Sequence, residues 1–418
     1  MFAGFLGRKR LKLARARTQD LLIPAEADVV IEGWTDPNEV KLEGPFGDHY
    51  GFYSLPGNYP VLHVTAITRR KNAVIPATIV GLPPMEDGFL GEAIGAQFTP
   101  VLRFQHRDVR SVFLPLETGF HNLAVVSSRQ RYPRQARKTA LGLLGAGQMM
   151  LLKTVMLIDE DEDPHDLNVF LDALNDRVDP SEDIIEIHGL PGDSLDPANP
   201  FENVQAKLIV DATSLPEADP RHGGNLPLGT PEIDTPEWRK GLDVPPGVPL
   251  GFELRVLELP DVSQAKLLRS SMLVITTQIE GGPSPRDGMV EPNEKLAEKQ
   301  RATINQITEA VWQLEGSENL RWLFITDDDL ELHSKGSNRR LLWQLFARFD
   351  VERGLKWDID RSRIAWDATA PIPAQNGELP ARRWPAVTLH DPEILQRIQE
   401  NAVEDGLAGR EWPDNLLL

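Results

Sequence analysis

Val155-Met-Leu-Ile-Asp159-Glu-Asp-Glu-Asp163 and Leu323-Phe-Ile-Thr-Asp327-Asp-Asp329 decide the fold class. Each is a short apolar, strand-like run that stops at consecutive acids. Each leads into a helical stretch, one ending Arg177-Val-Asp179 and the other Arg348-Phe-Asp350, and each unit closes on a strand with the same ending, Asp211-Ala-Thr213 and Asp367-Ala-Thr369. Strand and helix in alternation indicate an α/β arrangement. The shared acidic turn, Arg-x-Asp helix end and Asp-Ala-Thr strand end suggest a duplicated βαβ unit. Chance likeness between two βα segments is the alternative. Two copies do not make a solenoid.

Upstream the pattern changes. Asp28-Val-Val-Ile-Glu32-Gly and Val61-Leu-His-Val-Thr-Ala-Ile-Thr68 are β-branched runs, separated by Gly44, Pro45, Gly47, Gly51, Pro56 and Gly57. Such a density of breakers means tight turns between strands. Residues 85–102 read as a linking helix, Phe120–Val126 as a strand and Arg134–Met150 as a helix. Residues 214–260 are rich in Pro and Gly and read as long loops. Glu294–Leu314 and 392–404 are further helices.

Composition bounds the function. The chain has 418 residues, a net charge of -19 and no cysteine. An acidic surface argues against a nucleic-acid binder, because phosphate contacts need positive charge. Without cysteine there are no disulfides, thiolate nucleophiles or Cys-type zinc sites. The basic run Arg8–Arg17 reads as a solvated segment. No apolar run approaches the roughly 20 residues that span a bilayer. The expected location is cytoplasmic, with the membrane touched only to meet a greasy substrate.

Several motifs carry little. The acids 159–163 could hold a hard cation, but a strand running into acids more often ends at a solvated sheet edge. Gly142-Leu-Leu-Gly145-Ala-Gly147 has the wrong glycine order for a dinucleotide loop and falls in a helix, so it reads as a close-packing surface. The histidines, among them His49, His63, His106 and His121, show no metal-ligand spacing; only His49 stands out, for its neighbours. Glu43-Gly-Pro-Phe-Gly-Asp48 differs. A short rigid loop brackets two carboxylates, and paired acids in unequal surroundings are how one site obtains an acid and a base.

Glu43-Gly-Pro-Phe-Gly-Asp48-His49-Tyr50-Gly51-Phe-Tyr53 resembles the signature segment of the UbiD family of decarboxylases. Four further stretches agree in order: 62–68, 81–87, 120–127 with Arg131-Tyr-Pro133, and 145–161. The resemblance covers about residues 1–213 and weakens beyond, although Asp211-Ala-Thr213 and Trp384-Pro385 also have counterparts.

The resemblance implies an α+β and α/β fold. The remainder of a split β-barrel of flavin-reductase type would occupy 1–84, a linker helix 85–103, and an α/β oligomerisation domain 104–214. An extended α/β region with the repeat would follow at 215–418. It implies a carboxy-lyase using prenylated FMN, supplied by a flavin prenyltransferase, with Mn2+ and K+ at the cofactor phosphate. Asp48 would be the acid that protonates the substrate carbon and Glu43 its partner in a relay with an arginine. The substrate would be a small hydroxyaromatic acid, the role ubiquinone or menaquinone biosynthesis, and the assembly a homo-oligomer. In the family the relay arginine and the metal and phosphate ligands precede the signature segment, and nothing here maps onto them. Either the chain is a fragment or mis-started reading frame, or a separate subunit supplies that half, and the isolated chain is expected to bind flavin poorly and to be inactive. The alternative is a non-catalytic scaffold subunit that has lost the cofactor half.

Overall fold

The computed structural model describes residues 4, 7–75, 80–83, 85–214, 246–280, 290–334, 337–374, 380–389 and 391–404. It divides into two compact units, Met1–Phe46 with Ser54–Ile79, and Gly47–Tyr53 with Val80–Leu418.

The first unit is built from antiparallel pairs. Strand β1 (Leu13–Arg15) pairs with β2 (Leu22–Pro24), and the long β3 (Val29–Glu43) with β4 (Gly57–Arg69). The β3–β4 register shifts between Glu32 and Gly33, where a Cβ on Gly33 would lie 2.4 Å from the His63 carbonyl oxygen. Only glycine allows the strands to approach so closely there. Glu32 is buried, and its carboxylate accepts from the backbone N–H groups of Arg17 and Thr18 at 2.8 and 2.6 Å. A buried charge survives only when its lone pairs are occupied in this way.

The second unit holds the duplication. Helix α1 (Glu86–Gln105) leads into β5 (Val109–Phe113), β6 (Leu123–Ser128), α2 (Gln135–Leu144), β7 (Thr154–Asp159), α3 (Leu167–Arg177), β8 (Ile184–Pro191) and β9 (Val204–Asp211). The same succession then recurs: β10 (Gln264–Arg269), β11 (Met272–Thr277), α4 (Glu294–Gln313), β12 (Trp322–Asp327), α5 (Ser337–Ala347), β13 (Leu355–Trp357) and β14 (Ile364–Ala368). The two five-stranded sheets have matching orders, β5-β6-β7-β9-β8 and β10-β11-β12-β14-β13. In each, the three central strands are parallel and both edges antiparallel. A last helix, α6 (Pro392–Glu400), follows. None of the described sheets closes into a barrel.

Packing explains why β7 and β12 read as unbroken apolar runs, since parallel strands are buried on both faces. On one face of the first sheet, Val155 and Leu157 pack with Ala140 and Leu143 of α2. In the second, Leu323 and Ile325 pack with Ile304 and Ile307 of α4. The other faces of both sheets share one core, in which Met156, Phe170 and Leu174 meet Trp322, Phe349 and Trp366.

The repeated polar residues do equivalent work. Asp211 and Asp367 each accept from the hydroxyl of the threonine two residues on, at 2.5 and 2.7 Å. Asp159 and Asp327 each accept a backbone N–H from beyond the last strand, Ser214 at 2.9 Å and Ala370 at 2.8 Å. Arg177 binds Glu162, and Arg348 binds Asp327 and Asp329.

Two expectations need revision. The helix over 134–150 stops at Leu144: the backbone turns extended at Ala146 (φ -114°, ψ 112°), and residues 147–151 form a tighter turn. The close-packing surface is confined to Gly142, where a Cβ would meet the His106 ring at 2.4 Å. Most of the loop region 214–260 lies outside the described residues. Among the described residues no helix is long and apolar enough to cross a membrane.

Candidate active site

Residues 47–53 form a narrow loop of the second unit. Gly47 bridges to Tyr53, and Phe52 bridges to Val387. Tyr50 and Phe52 are its buried anchors, packed with Trp343 and Trp384. The backbone is fastened by Trp343 Nε1 to the Tyr50 carbonyl at 2.8 Å, Thr388 N to the Gly51 carbonyl at 2.9 Å, and Tyr53 N to the Ala386 carbonyl at 2.9 Å. Gly51 takes a φ of 85° against Pro83 and Trp343, a conformation and a clearance that favour glycine.

The loop presents Asp48 and His49. Asp48 Oδ1 accepts two hydrogen bonds from His49, from the backbone N–H at 2.7 Å and from Nδ1 at 2.8 Å. A carboxylate oxygen can only accept, so Nδ1 carries a proton. Asp48 Oδ2 has no hydrogen bond among the described residues, and the side chain is 18% exposed.

Beyond His49 the contacts continue. His49 Nε2 lies 3.5 Å from Asp193 Oδ2, and the same oxygen accepts from His121 Nδ1 at 2.7 Å and from the Tyr50 hydroxyl at 3.2 Å. Asp193 follows β8, and its Oδ1 takes the Leu195 N–H at 3.0 Å. His121 precedes β6. Burial by itself would lower the His49 imidazole, but the Asp193 and Asp48 carboxylates raise it to about 9. Burial would raise Asp193, yet His121 and His49 hold it far below the usual carboxylate range. Burial, with Asp196 and Asp193 close by, pushes the Tyr50 phenol well above its ordinary value.

Glu43, the other sequence candidate, ends β3 in the first unit, opposite Gly57, and is exposed. The two candidate acids therefore belong to different compact units. His121 and Asp193 were not singled out as a pair with His49. They lie 72 residues apart along the chain and far from the loop, so no local spacing announces them. The acids after β7 are matched by cations: Glu160 binds Arg110 and Arg129, and Glu162 binds Arg177.

Residues 1–83 match the family model of the 3-octaprenyl-4-hydroxybenzoate carboxy-lyase Rift-related domain, and residues 88–212 that of the same enzyme's C-terminal domain. The chain belongs to the UbiD family. Membership rests on those first 212 residues, which include the loop of Asp48 and the first copy of the repeat. An uncharacterised protein of Archaeoglobus fulgidus is 45% identical over 213 residues, 51% of this chain and 44% of its own length. One of Aquifex aeolicus is 42% identical over 215 residues, again 51% of this chain and 44% of the relative. The chain thus spans less than half the length of the curated relatives it matches. Vanillic acid decarboxylase of Sedimentibacter hydroxybenzoicus, in closed form, is 28% identical over 54% of this chain and 47% of its own, with a TM-score of 0.47.

The UbiD cofactor, prenylated FMN, needs an acid beside the reacting carbon and an anchor for its phosphate. Asp48, with one oxygen tied and one free, fits the first. The hydrogen-bond partners of Asp48 among the described residues are His49, Gly51 and Phe52, none of them a phosphate anchor.

Proposed function

We propose that the chain is the acid-bearing part of a UbiD-type decarboxylase that removes CO2 from a hydroxyaromatic acid. The observation that carries this reading is the unequal treatment of the two Asp48 oxygens. Two N–H donors on Oδ1 leave Oδ2 to hold the proton when Asp48 is in its acid form. A proton on an uncommitted, partly exposed oxygen is ready for transfer to a carbon placed against it.

Prenylated FMN, when bound, supplies an electron sink for the pair left by the departing CO2. In the proposed step the bond between ring carbon and carboxyl breaks, CO2 leaves, and that carbon takes the Asp48 proton. The resulting Asp48 carboxylate stays oriented by His49 and recovers a proton from solvent. Glu43 is proposed as the relay partner of Asp48. Mn2+ and K+ at the cofactor phosphate, a homo-oligomer, a prenyltransferase as cofactor supplier and a place in quinone biosynthesis belong to the same proposal.

Release of CO2 from a panel of hydroxybenzoic acids by the chain supplied with prenylated FMN tests it, with and without the product of any adjoining gene that encodes a flavin-binding half. Turnover is expected with that product present, and poor flavin retention without turnover for the chain alone. No turnover and no retained flavin under both would support the scaffold reading instead.

A further inference from the structure

We propose that His49, His121 and Asp193 form a binding site for a divalent first-row transition metal. The ligand atoms of the three side chains all lie within 4.8 Å of one another. Two imidazoles and one carboxylate are a donor set that suits Zn2+, Fe2+ and Co2+ rather than Mg2+ or Ca2+, which take oxygen ligands.

The spacing is close to what such an ion requires. Ligands about 2.0–2.1 Å from a tetrahedral metal stand roughly 3.4 Å apart. His49 Nε2 and Asp193 Oδ2 are 3.5 Å apart, too long for a good hydrogen bond, and Nε2 is a buried nitrogen without a hydrogen-bond partner among the described residues. His121 Nδ1, at 2.7 Å from the same oxygen, needs only to open by about 0.7 Å, which side-chain rotation supplies.

The surroundings also match. Metal-binding histidines commonly donate their second ring N–H to a carboxylate, which fixes the tautomer and strengthens the ligand. His49 does this, since Nδ1 donates to Asp48 Oδ1 at 2.8 Å while Nε2 faces Asp193. Asp193 is set by the Leu195 N–H on its other oxygen, and Tyr50 donates to the ligating one. With neutral imidazoles, the Asp193 carboxylate gives the three ligands a negative charge that favours a dication. Three protein ligands leave a coordination position open, as in catalytic rather than structural sites. The site does not depend on the decarboxylase reading and can be tested without turnover.

The test is titration of the metal-stripped full chain with Zn2+ by calorimetry and with Co2+ by visible absorption. One equivalent is expected to bind, with the absorption of a four- or five-coordinate cobalt site. His121→Ala and Asp193→Asn should each weaken binding at least about 100-fold, while His165→Ala, on an exposed histidine, should leave it unchanged. His121 is 20% exposed, so its variant remains informative even if Asp193→Asn fails to fold. No cobalt absorption, or wild-type affinity in folded His121→Ala, would overturn the proposal.

Discussion

Trp343 of α5 donates its indole N–H to the carbonyl of Tyr50, 2.8 Å away, and so ties the loop of Asp48 to a residue of the second repeat. The loop's other backbone partners, Ala386 and Thr388, also lie past residue 212, beyond the stretch that the family models match. The later half is therefore part of what shapes the candidate site. Trp343→Phe keeps much of the packing against Phe52 but leaves the Tyr50 carbonyl without its donor, a loss of about 1–3 kcal/mol. Trp343→Ala also opens a cavity and should cost about 3–5 kcal/mol. Urea denaturation of the two variants measures both, and equal, negligible losses would contradict the anchoring.

Lys153 and Arg321 hold equivalent places just before β7 and β12, and each reaches into the other repeat. Lys153 Nζ donates to the Phe349 carbonyl at 2.6 Å, and Arg321 Nη1 to the Val178 carbonyl at 2.9 Å. Both carbonyls follow the helix of the opposite copy, so the two repeats stitch their shared core reciprocally. Lys153 also pairs with the fully buried Asp196 at 2.6 Å. Lys153→Met therefore strands a buried carboxylate and should cost roughly 3–5 kcal/mol. Arg321→Met breaks hydrogen bonds to Val178 and Ser271, a loss of about 1–3 kcal/mol. The order of the two chemical-denaturation midpoints checks the account.

Lys207 gives stability a pH dependence. It is buried, donates to the Met150 carbonyl at 2.8 Å, and is lowered to about 7 by burial and by the neighbouring Lys153 ammonium. The folded chain thus releases this proton at about pH 7, whereas the unfolded chain keeps it to near the ordinary lysine value of 10.5. Between those limits the unfolded state binds more protons, so stability rises with pH, by at most roughly 1.4 kcal/mol per pH unit. Below about pH 7 both states are protonated and this contribution is flat at its least favourable value. Lys207→Met should remove the rise between pH 7 and 9 in urea titrations. An identical slope in both proteins would refute it.

The repeat was legible because its signals are local. Val155–Ile158 and Leu323–Ile325 are apolar throughout since each strand is buried on both faces, and the acids that end them pair with Arg177 and Arg348 at the ends of the following helices. The run 142–147 was misread in part because, in sequence, glycines near a helix end can equally pack or lie past it; Gly142 packs against His106, while Gly145 and Gly147 follow the last helical residue, Leu144. Asp48 stands out in the sequence by its turn. The group around it does not, because His121 and Asp193 come from opposite sides of the first sheet's strand order, before β6 and after β8, and meet His49 only through the tertiary fold. The holding of residues 47–53 by Trp343 is hidden for the same reason.

The most direct measurement is CO2 release by the flavin-loaded enzyme carrying Asp48→Asn. Asparagine keeps the shape and can still accept from His49 through its carbonyl oxygen, but it has no acidic proton to deliver from the position of Oδ2. The predicted result is retained flavin with turnover reduced by about 100-fold or more. Turnover at the wild-type rate in Asp48→Asn would contradict the central claim.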